Sequence, residues 1–303
     1  MSVTVAELGE VQLIERLRCR MPRAASVRVG IGDDAAVLRW GGRDELLFAS
    51  DMLIEGTHFT RRTTPAQGIG WKALACNISD IAAMGGVPRF AVVSIGLPRG
   101  IRLSWVDGLY RGLRRCARRY GVALVGGDTV RAPCVVVDVA ILGRVPAGRA
   151  VLRRRARVGD RLFVTGRLGG SLASGRHARF TPRLREAQWL MRHVPVHAMI
   201  DLSDGLASDL WQIARASRVT LRIDAASLPV SRTARTVRHA LMDGEDFELL
   251  FAVAAHAAGG VPRAIGRVPV TAIGVVAARG AAVQLVNRDG RIQPLIPTGF
   301  KHF

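Results

Sequence analysis

Gly30-Ile31-Gly32-Asp33-Asp34-Ala35-Ala36-Val37 is the stretch from which the rest of the chain is read. Two adjacent carboxylates, framed by glycines, run into an apolar segment, in a chain with 44 Lys+Arg against 24 Asp+Glu. One reading is an Asp-stabilised turn between two strands, ordinary turn chemistry. The other is a metal-held phosphate site, with the glycines letting backbone approach the ligand. The octapeptide alone leaves both open, so the decision falls to its neighbours.

The 303 residues suffice for one large or two ordinary domains, and 49% hydrophobic content supports a sizeable core. No uninterrupted apolar run is long enough to span a membrane. Glu7, Glu10 and Glu15 do not fit a signal peptide, so a cytoplasmic location is expected. Cys19, Cys76, Cys116 and Cys134 have no paired spacing and are expected to be reduced core residues. Lys72 and Lys301 are the only lysines, so 42 of the 44 basic residues are arginine. Their spread points to a sequence-wide bias rather than a nucleic-acid surface. The local exception, Arg111, Arg114, Arg115, Arg118 and Arg119, falls on one helical face and is expected to be solvated.

The acids are placed more selectively. Asp33, Asp34, Asp51, Glu55, Asp80, Asp128, Asp201, Asp204, Asp209, Glu245, Asp246 and Glu248 make up 12 of the 24, in short segments flanked by Gly, Ser or apolar residues. Carboxylates beside apolar strands are costly without cations to neutralise them.

The pattern predicts an amphipathic helix over 7–20, strands over 27–29, 35–40 and 46–52, and a helix over 69–86 closed by a Gly pair. Asp80 interrupts an otherwise apolar stripe of that helix and needs a capping partner or a cation. His58 lies in a loop, where a structural role is the commoner one. A strand over 89–96, a helix over 104–120 and a strand over 122–125 lead into Gly126-Gly127-Asp128, whose backbone N–H groups can cradle an anion. A β-type run over 135–145 ends at Pro146-Ala147-Gly148, the best domain boundary, giving units 1–147 and 148–303. Beyond it come Arg153-Arg154-Arg155, a strand over 162–166, a Gly-Ser loop, and a helix over 181–193. Met199-Ile200-Asp201-Leu202-Ser203-Asp204 then repeats the strand and acidic turn ahead of a helix that Ser203 or Asp204 can cap.

Acidic turns at strand ends, Gly-rich anion loops and the lack of a nucleophile with its base point to magnesium-dependent phosphate chemistry. Neither a P-loop nor a protein-kinase signature is present. Read in order, GIGDDAAV (30–37), SDMLIEGTHF (50–59), IGWKALACNISDIAAMGGVP (69–88), LVGGDT (124–129), VGDRLFVTG (158–166), MIDLSDGLASDL (199–210) and GEDFELLF (244–251) resemble the thiamine-monophosphate kinase family. That family belongs to a superfamily with aminoimidazole ribonucleotide synthetase and selenophosphate synthetase.

The resemblance implies an α+β fold: an N-terminal αβ domain whose sheet forms a dimeric β-barrel, and a C-terminal α/β sandwich-like domain. It implies transfer of phosphate from ATP to thiamine monophosphate by a homodimer. Matched by motif, Asp33, Ser50, Asp51, Asp80, Asp128, Asp201 and Asp204 would bind magnesium, with Asp51, Asp80 and Asp128 central to catalysis and Asp34 a weaker ligand. Tyr110, Gly127, Arg153 and Ser203 would contact ATP. His58, Glu245 and Phe300 would meet the thiamine monophosphate. The family's usual interdomain Arg-Ser-Gly-Ala is Arg153-Arg154-Arg155-Ala156 here, which leaves open which arginine meets ATP.

A phosphate monoester is already largely anionic at neutral pH, so the acceptor needs no general base. Several cations bridging the two anions would explain many carboxylates and no catalytic dyad, and imply in-line transfer without a phospho-enzyme. Another enzyme of the superfamily would share the metals and ATP but not His58 and Glu245. A basic nucleic-acid-binding protein would leave the clustered carboxylates unexplained. Neither nucleic acid nor membrane is an expected partner.

Overall fold

The computed structural model describes residues 5–19 and 24–296. Helices α1 (Val5–Leu8) and α2 (Glu10–Arg18) precede strands β1 (Val27–Val29), β2 (Ala36–Arg39) and β3 (Asp44–Ile54). Then come α3 (Ala66–Ala83), β4 (Val87–Leu97), α4 (Leu103–Tyr120), β5 (Ala123–Gly126), β6 (Thr129–Arg131) and β7 (Val136–Pro146). The remainder runs β8 (Arg161–Thr165), α5 (Leu184–His193), β9 (Val196–Asp201), α6 (Leu206–Ser217), β10 (Val219–Asp224), α7 (Val237–Met242), β11 (Leu249–Val253), β12 (Ala264–Ile265), β13 (Val268–Arg279), β14 (Ala282–Val286) and β15 (Ile292–Pro294).

The strands form two sheets, an α+β arrangement. The first has seven strands in the order β1-β2-β3-β7-β4-β5, with β6 also on β4. The second has eight in the order β15-β14-β10-β13-β8-β11-β9, with β12 on β13. The first sheet ends at Pro146 and the second begins at Arg161. Among the described residues neither sheet closes on itself, so no barrel forms within one chain.

The centre of the first sheet is antiparallel, with β3 and β4 on either side of β7. One face carries Leu47, Leu53, Val137, Val139, Ile141, Ala91 and Val93 and is buried under α3 and α4. The opposite face presents Phe48, Met52, Phe90 and Val92 to solvent, so the sheet is apolar on both sides. On the outer edge of β4, β5 pairs with residues 90–92 and β6 with 95–97. Gly126-Gly127-Asp128 fills the gap, and the Asp128 carbonyl accepts from Ile95 N at 2.8 Å.

Helix α3 is buried almost throughout. Its crossing with α4 depends on two glycines. A Cβ on Gly70 would lie 1.9 Å from the Leu109 carbonyl oxygen, and one on Gly112 would lie 2.0 Å from that of Gln67. Only glycine permits backbones this close. At its other end α3 packs on α5 and β9, so it reaches the second sheet as well.

Several expectations need correction. The first helix is split at Gly9, which has φ 76° and stands outside both α1 and α2. Neither Ser203 nor Asp204 caps α6, whose N-cap is Gly205 with no side-chain hydrogen bond. Cys76 and Cys116 are buried, but Cys19 is exposed and Cys134 only partly covered; none is in a disulfide. The five arginines of α4 are all exposed, as expected. Two of them also cover an aromatic, with Arg115 and Arg119 5.0 and 5.8 Å from the ring centre of Trp71.

Candidate phosphate-transfer site

Three elements bring carboxylates together from distant parts of the chain. The turn before β2 supplies Asp34, α3 supplies Asp80, and the C-terminal end of β9 supplies Asp201. One carboxylate oxygen from each lies within 4.8 Å of the other two. Asp33 flanks Asp34, and Asp51 reaches the group from β3, close enough for its charge to bear on both Asp80 and Asp201.

Cations are few at this point. Arg153 makes a two-pronged contact with Asp34, Nη2 to Oδ1 at 2.8 Å and Nε to Oδ2 at 3.2 Å, while its main-chain N–H donates to Asp33 Oδ1 at 3.1 Å. Arg154 and Arg155 are exposed, so Arg153 is the member of the triplet turned into the site. Ser79 donates to Asp201 Oδ2 at 2.5 Å.

Burial first, and the neighbouring negative charge second, shifts these carboxyls toward their protonated forms. Burial, reinforced by the charge of Asp34 and opposed by Arg153, pushes Asp33 up to about 7. Burial, then Asp138, Asp204 and Asp34, raises Asp51 to about 6. Asp80 is raised well above the usual carboxylate range by burial and by Asp51 and Asp201. Asp201 is raised by burial and Asp34, against the Ser79 hydrogen bond. Asp209, one turn into α6, is buried, shifted up by burial and by Asp204, and leaves Oδ2 without a hydrogen bond.

An all-oxygen donor set with too little positive charge fits a hard divalent cation such as magnesium. The orphaned Asp209 oxygen, buried beside it, points the same way.

The other expected site residues are placed unevenly. Ser50 alternates with Asp51 along β3, so its hydroxyl points to the opposite face of the sheet and donates to Asp138 at 3.0 Å. It does not join the carboxylates. Asp128 is exposed, and its Oδ1 accepts from the main chain of Thr129 at 2.7 Å. Gly127 packs so tightly that a Cβ would lie 1.8 Å from the Val93 carbonyl oxygen, which accounts for glycine there. Tyr110 is half-buried on α4 against the first core. The Ser203 carbonyl accepts from Glu245 N at 2.6 Å, joining the two acidic loops of the second half. Phe300 lies outside the described residues.

His58 and Glu245 do meet, through a residue the sequence reading passed over. Lys72, fully buried on α3, donates from Nζ to the His58 carbonyl at 2.9 Å and to Glu245 Oε1. His177 Nδ1 lies 3.4 Å from the same Nζ. Burial acts to raise Glu245, but the His177 ring and the Lys72 charge outweigh it and hold the carboxyl below its ordinary value.

The loop carrying Glu245 is braced residue by residue. Asp243 accepts from Gly170 N at 2.7 Å, Ser171 donates to the Glu245 carbonyl at 2.6 Å, and Asp246 accepts from Gly169 N at 2.7 Å and from Arg176. Arg183 clasps Glu248 with two hydrogen bonds of 2.6 and 2.5 Å. These contacts hold Glu245 and Phe247 at positive φ, 61° and 49°, a conformation non-glycine residues rarely keep unaided. Phe247 also stacks on Phe180, with ring centres 4.0 Å apart. Lys72 could have been noticed in the sequence as a lone lysine inside an apolar helix of an arginine-rich chain.

The chain is similar to known proteins over nearly its whole length. The family described as AIR synthase related protein matches with its N-terminal domain over residues 32–145 and its C-terminal domain over residues 157–286. The thiamine-monophosphate kinase of Rhodopirellula baltica is 39% identical over 311 residues, covering 97% of each chain. That of Escherichia coli K12 is 36% identical over 326 residues, covering 97% of this chain and 98% of the other. Among solved structures, AaThiL complexed with AMPPCP and TMP superposes with a TM-score of 0.87 at 30% identity over 100% of both chains. A hydrogenase maturation protein HypE in complex with ATP, 21% identical with a TM-score of 0.73, covers 88% of this chain and 89% of its own and shares the fold. With near-complete coverage and both family domains in order, the chain belongs to the thiamine-monophosphate kinase family.

Proposed function

We propose that the protein transfers the γ-phosphoryl group of ATP to thiamine monophosphate, giving thiamine diphosphate and ADP. The observation that carries this reading is the cluster of Asp34, Asp80 and Asp201, set among further carboxylates in a member of this family. Magnesium, when bound, would neutralise the phosphates and hold attacking and leaving oxygens in line.

The chain's own residues have distinct tasks. Asp33, Asp51, Asp80, Asp128, Asp201 and Asp204 would ligate the cations, joined by Asp34, which also orients Arg153 toward the ATP phosphates. Ser50 would have to leave Asp138 or act through its main-chain oxygen. Tyr110, Gly127 and Ser203 would complete the nucleotide site, and His58, Glu245 and Phe300 the acceptor site. Because the acceptor phosphate is already anionic, no residue need remove a proton, and transfer is direct.

Units 1–147 and 148–303 are the natural division. The exposed Phe48, Met52, Phe90 and Val92 support a homodimer in which two first sheets face each other and complete a barrel, since contiguous apolar surface on a sheet marks an interface. A cytoplasmic location is supported by the use of ATP and by four cysteines without disulfides.

Incubating the protein with Mg-ATP and thiamine monophosphate should yield thiamine diphosphate and ADP in equal amounts. No product from folded protein at high concentration would overturn the activity. A phosphorylated protein trapped during turnover would overturn direct transfer.

A further inference from the structure

Lys72 is the largest side chain in the fully buried set, and it lies between the two halves of the molecule. Three acceptors surround its nitrogen: the His58 carbonyl oxygen at 2.9 Å, Glu245 Oε1, and His177 Nδ1 at 3.4 Å. An ammonium offers three donors about a point, whereas a guanidinium is a planar fork. In a chain where 42 of 44 basic residues are arginine, a lysine survives where the planar fork does not fit.

Its partners are 14, 105 and 173 residues away in sequence. Two belong to the acceptor site proposed above and the third braces it. For Nδ1 of His177 to accept, the ring must carry its proton on Nε2. Glu245 Oε2 is then left over: it is buried and makes no hydrogen bond, with His177 Nδ1 3.3 Å away.

We propose that Lys72 is a positioning residue that ties the His58 loop to Glu245 and, with His177, leaves Glu245 Oε2 free for the positively charged ring of the acceptor. This rests on the kinase reading and sharpens its acceptor side. Lys72 does not touch the transferring phosphate. Its effect is felt in acceptor binding, through the placement of one carboxylate oxygen, and not in nucleotide binding.

The test compares the full-length wild type with Lys72→Arg, Lys72→Met and His177→Ala, by steady-state kinetics in both substrates and by calorimetric titration of thiamine monophosphate. Both Lys72 variants should raise KM for thiamine monophosphate by about tenfold or more, near 1.4 kcal/mol, and leave KM for ATP within about threefold. Arginine keeps the charge and should still fail to rescue. His177→Ala removes one spoke, leaves the Lys72–Glu245 pair intact, and should raise the acceptor KM by about threefold to fivefold. In the wild type the ring 15N spectrum should show His177 as the Nε2–H tautomer, and Lys72→Met should lose that preference.

Acceptor KM values within twofold of wild type in Lys72→Arg, or equal rises in both KM values, overturn the proposal. If the Lys72 variants do not fold, an unchanged acceptor KM in His177→Ala overturns it. A wild type that binds thiamine monophosphate in a Lys72-dependent way without phosphorylating it would sink the kinase reading and leave this one standing. A wild type that neither binds nor phosphorylates it removes both.

Discussion

Replacing Asp51 with asparagine should stabilise the metal-free protein while abolishing its activity. Asp51 is an acid whose folded-state pKa is raised from 3.8 to about 6. The folded protein therefore holds this proton more tightly than the unfolded chain, and ionising it costs stability as pH rises. Below about pH 4 both states are protonated and there is no cost. Between about 4 and 6 the cost grows, and above about 6 it is complete. Roughly two pKa units correspond to about 3 kcal/mol.

Asparagine has nearly the same shape and carries no charge, so it should recover up to about 3 kcal/mol at pH 8 and about 0.5 kcal/mol at pH 4. With an unfolding entropy of about 2.1 cal/mol/K per residue, 303 residues give roughly 0.6 kcal/mol/K, so Tm should rise by about 5 °C at pH 8 in EDTA. Scanning calorimetry of both proteins across that pH range reads the effect directly. A lower Tm for Asp51→Asn at pH 8 in EDTA, or a gain that does not depend on pH, would refute the reasoning. Adding Mg-ATP should reverse the order, because only the wild type gains ligation.

Three other outcomes follow from the packing and the faces of the sheets. Gly112→Ala should destabilise the protein by several kcal/mol or leave it insoluble, since its Cβ would meet the Gln67 carbonyl at 2.0 Å; a Tm near wild type would mean the helices separate easily. Arg183→Met strips the clasp from buried Glu248 and should cost about 3–5 kcal/mol in urea unfolding, with Arg183→Met/Glu248→Gln recovering part of it. Phe48→Asp should shift the protein toward monomer in analytical ultracentrifugation, and an unchanged sedimentation coefficient would remove the case for a dimer through this face.

The acidic turn, the apolar helix with one misplaced aspartate and the strands ending in carboxylates were all legible in the sequence, because each is a local pattern. Helix α3 was expected over 69–86 and runs Ala66–Ala83. What local patterns cannot carry is direction at a strand face. Ser50 and Asp51 read as one oxygen-rich pair, yet the pleat sends them to opposite sides of the sheet. Nor can they carry partners far off in the chain. Asp34 read as the lesser of its pair and lies within 4.8 Å of Asp80 and Asp201, held there by an arginine 119 residues away. Lys72 and His177 were missed for the same reason, each being unremarkable until the fold sets them side by side.

Helix α3 carries both Lys72, bound to Glu245 of the proposed acceptor site, and Asp80, in the carboxylate cluster. Eight residues of α-helix separate their Cα atoms by about 12 Å along the axis. Because that helix is locked against α4 by Gly70 and Gly112, the interval cannot stretch or slip. On the proposed placement of acceptor and cations it would work as a gauge of molecular length. An acceptor ring seated against Glu245 would bring its terminal phosphate into register with the cations only if the molecule had one length. An alcohol lacking the phosphate would fall short of the mark, and a diphosphate would overshoot it, so the enzyme would add one phosphoryl group and stop.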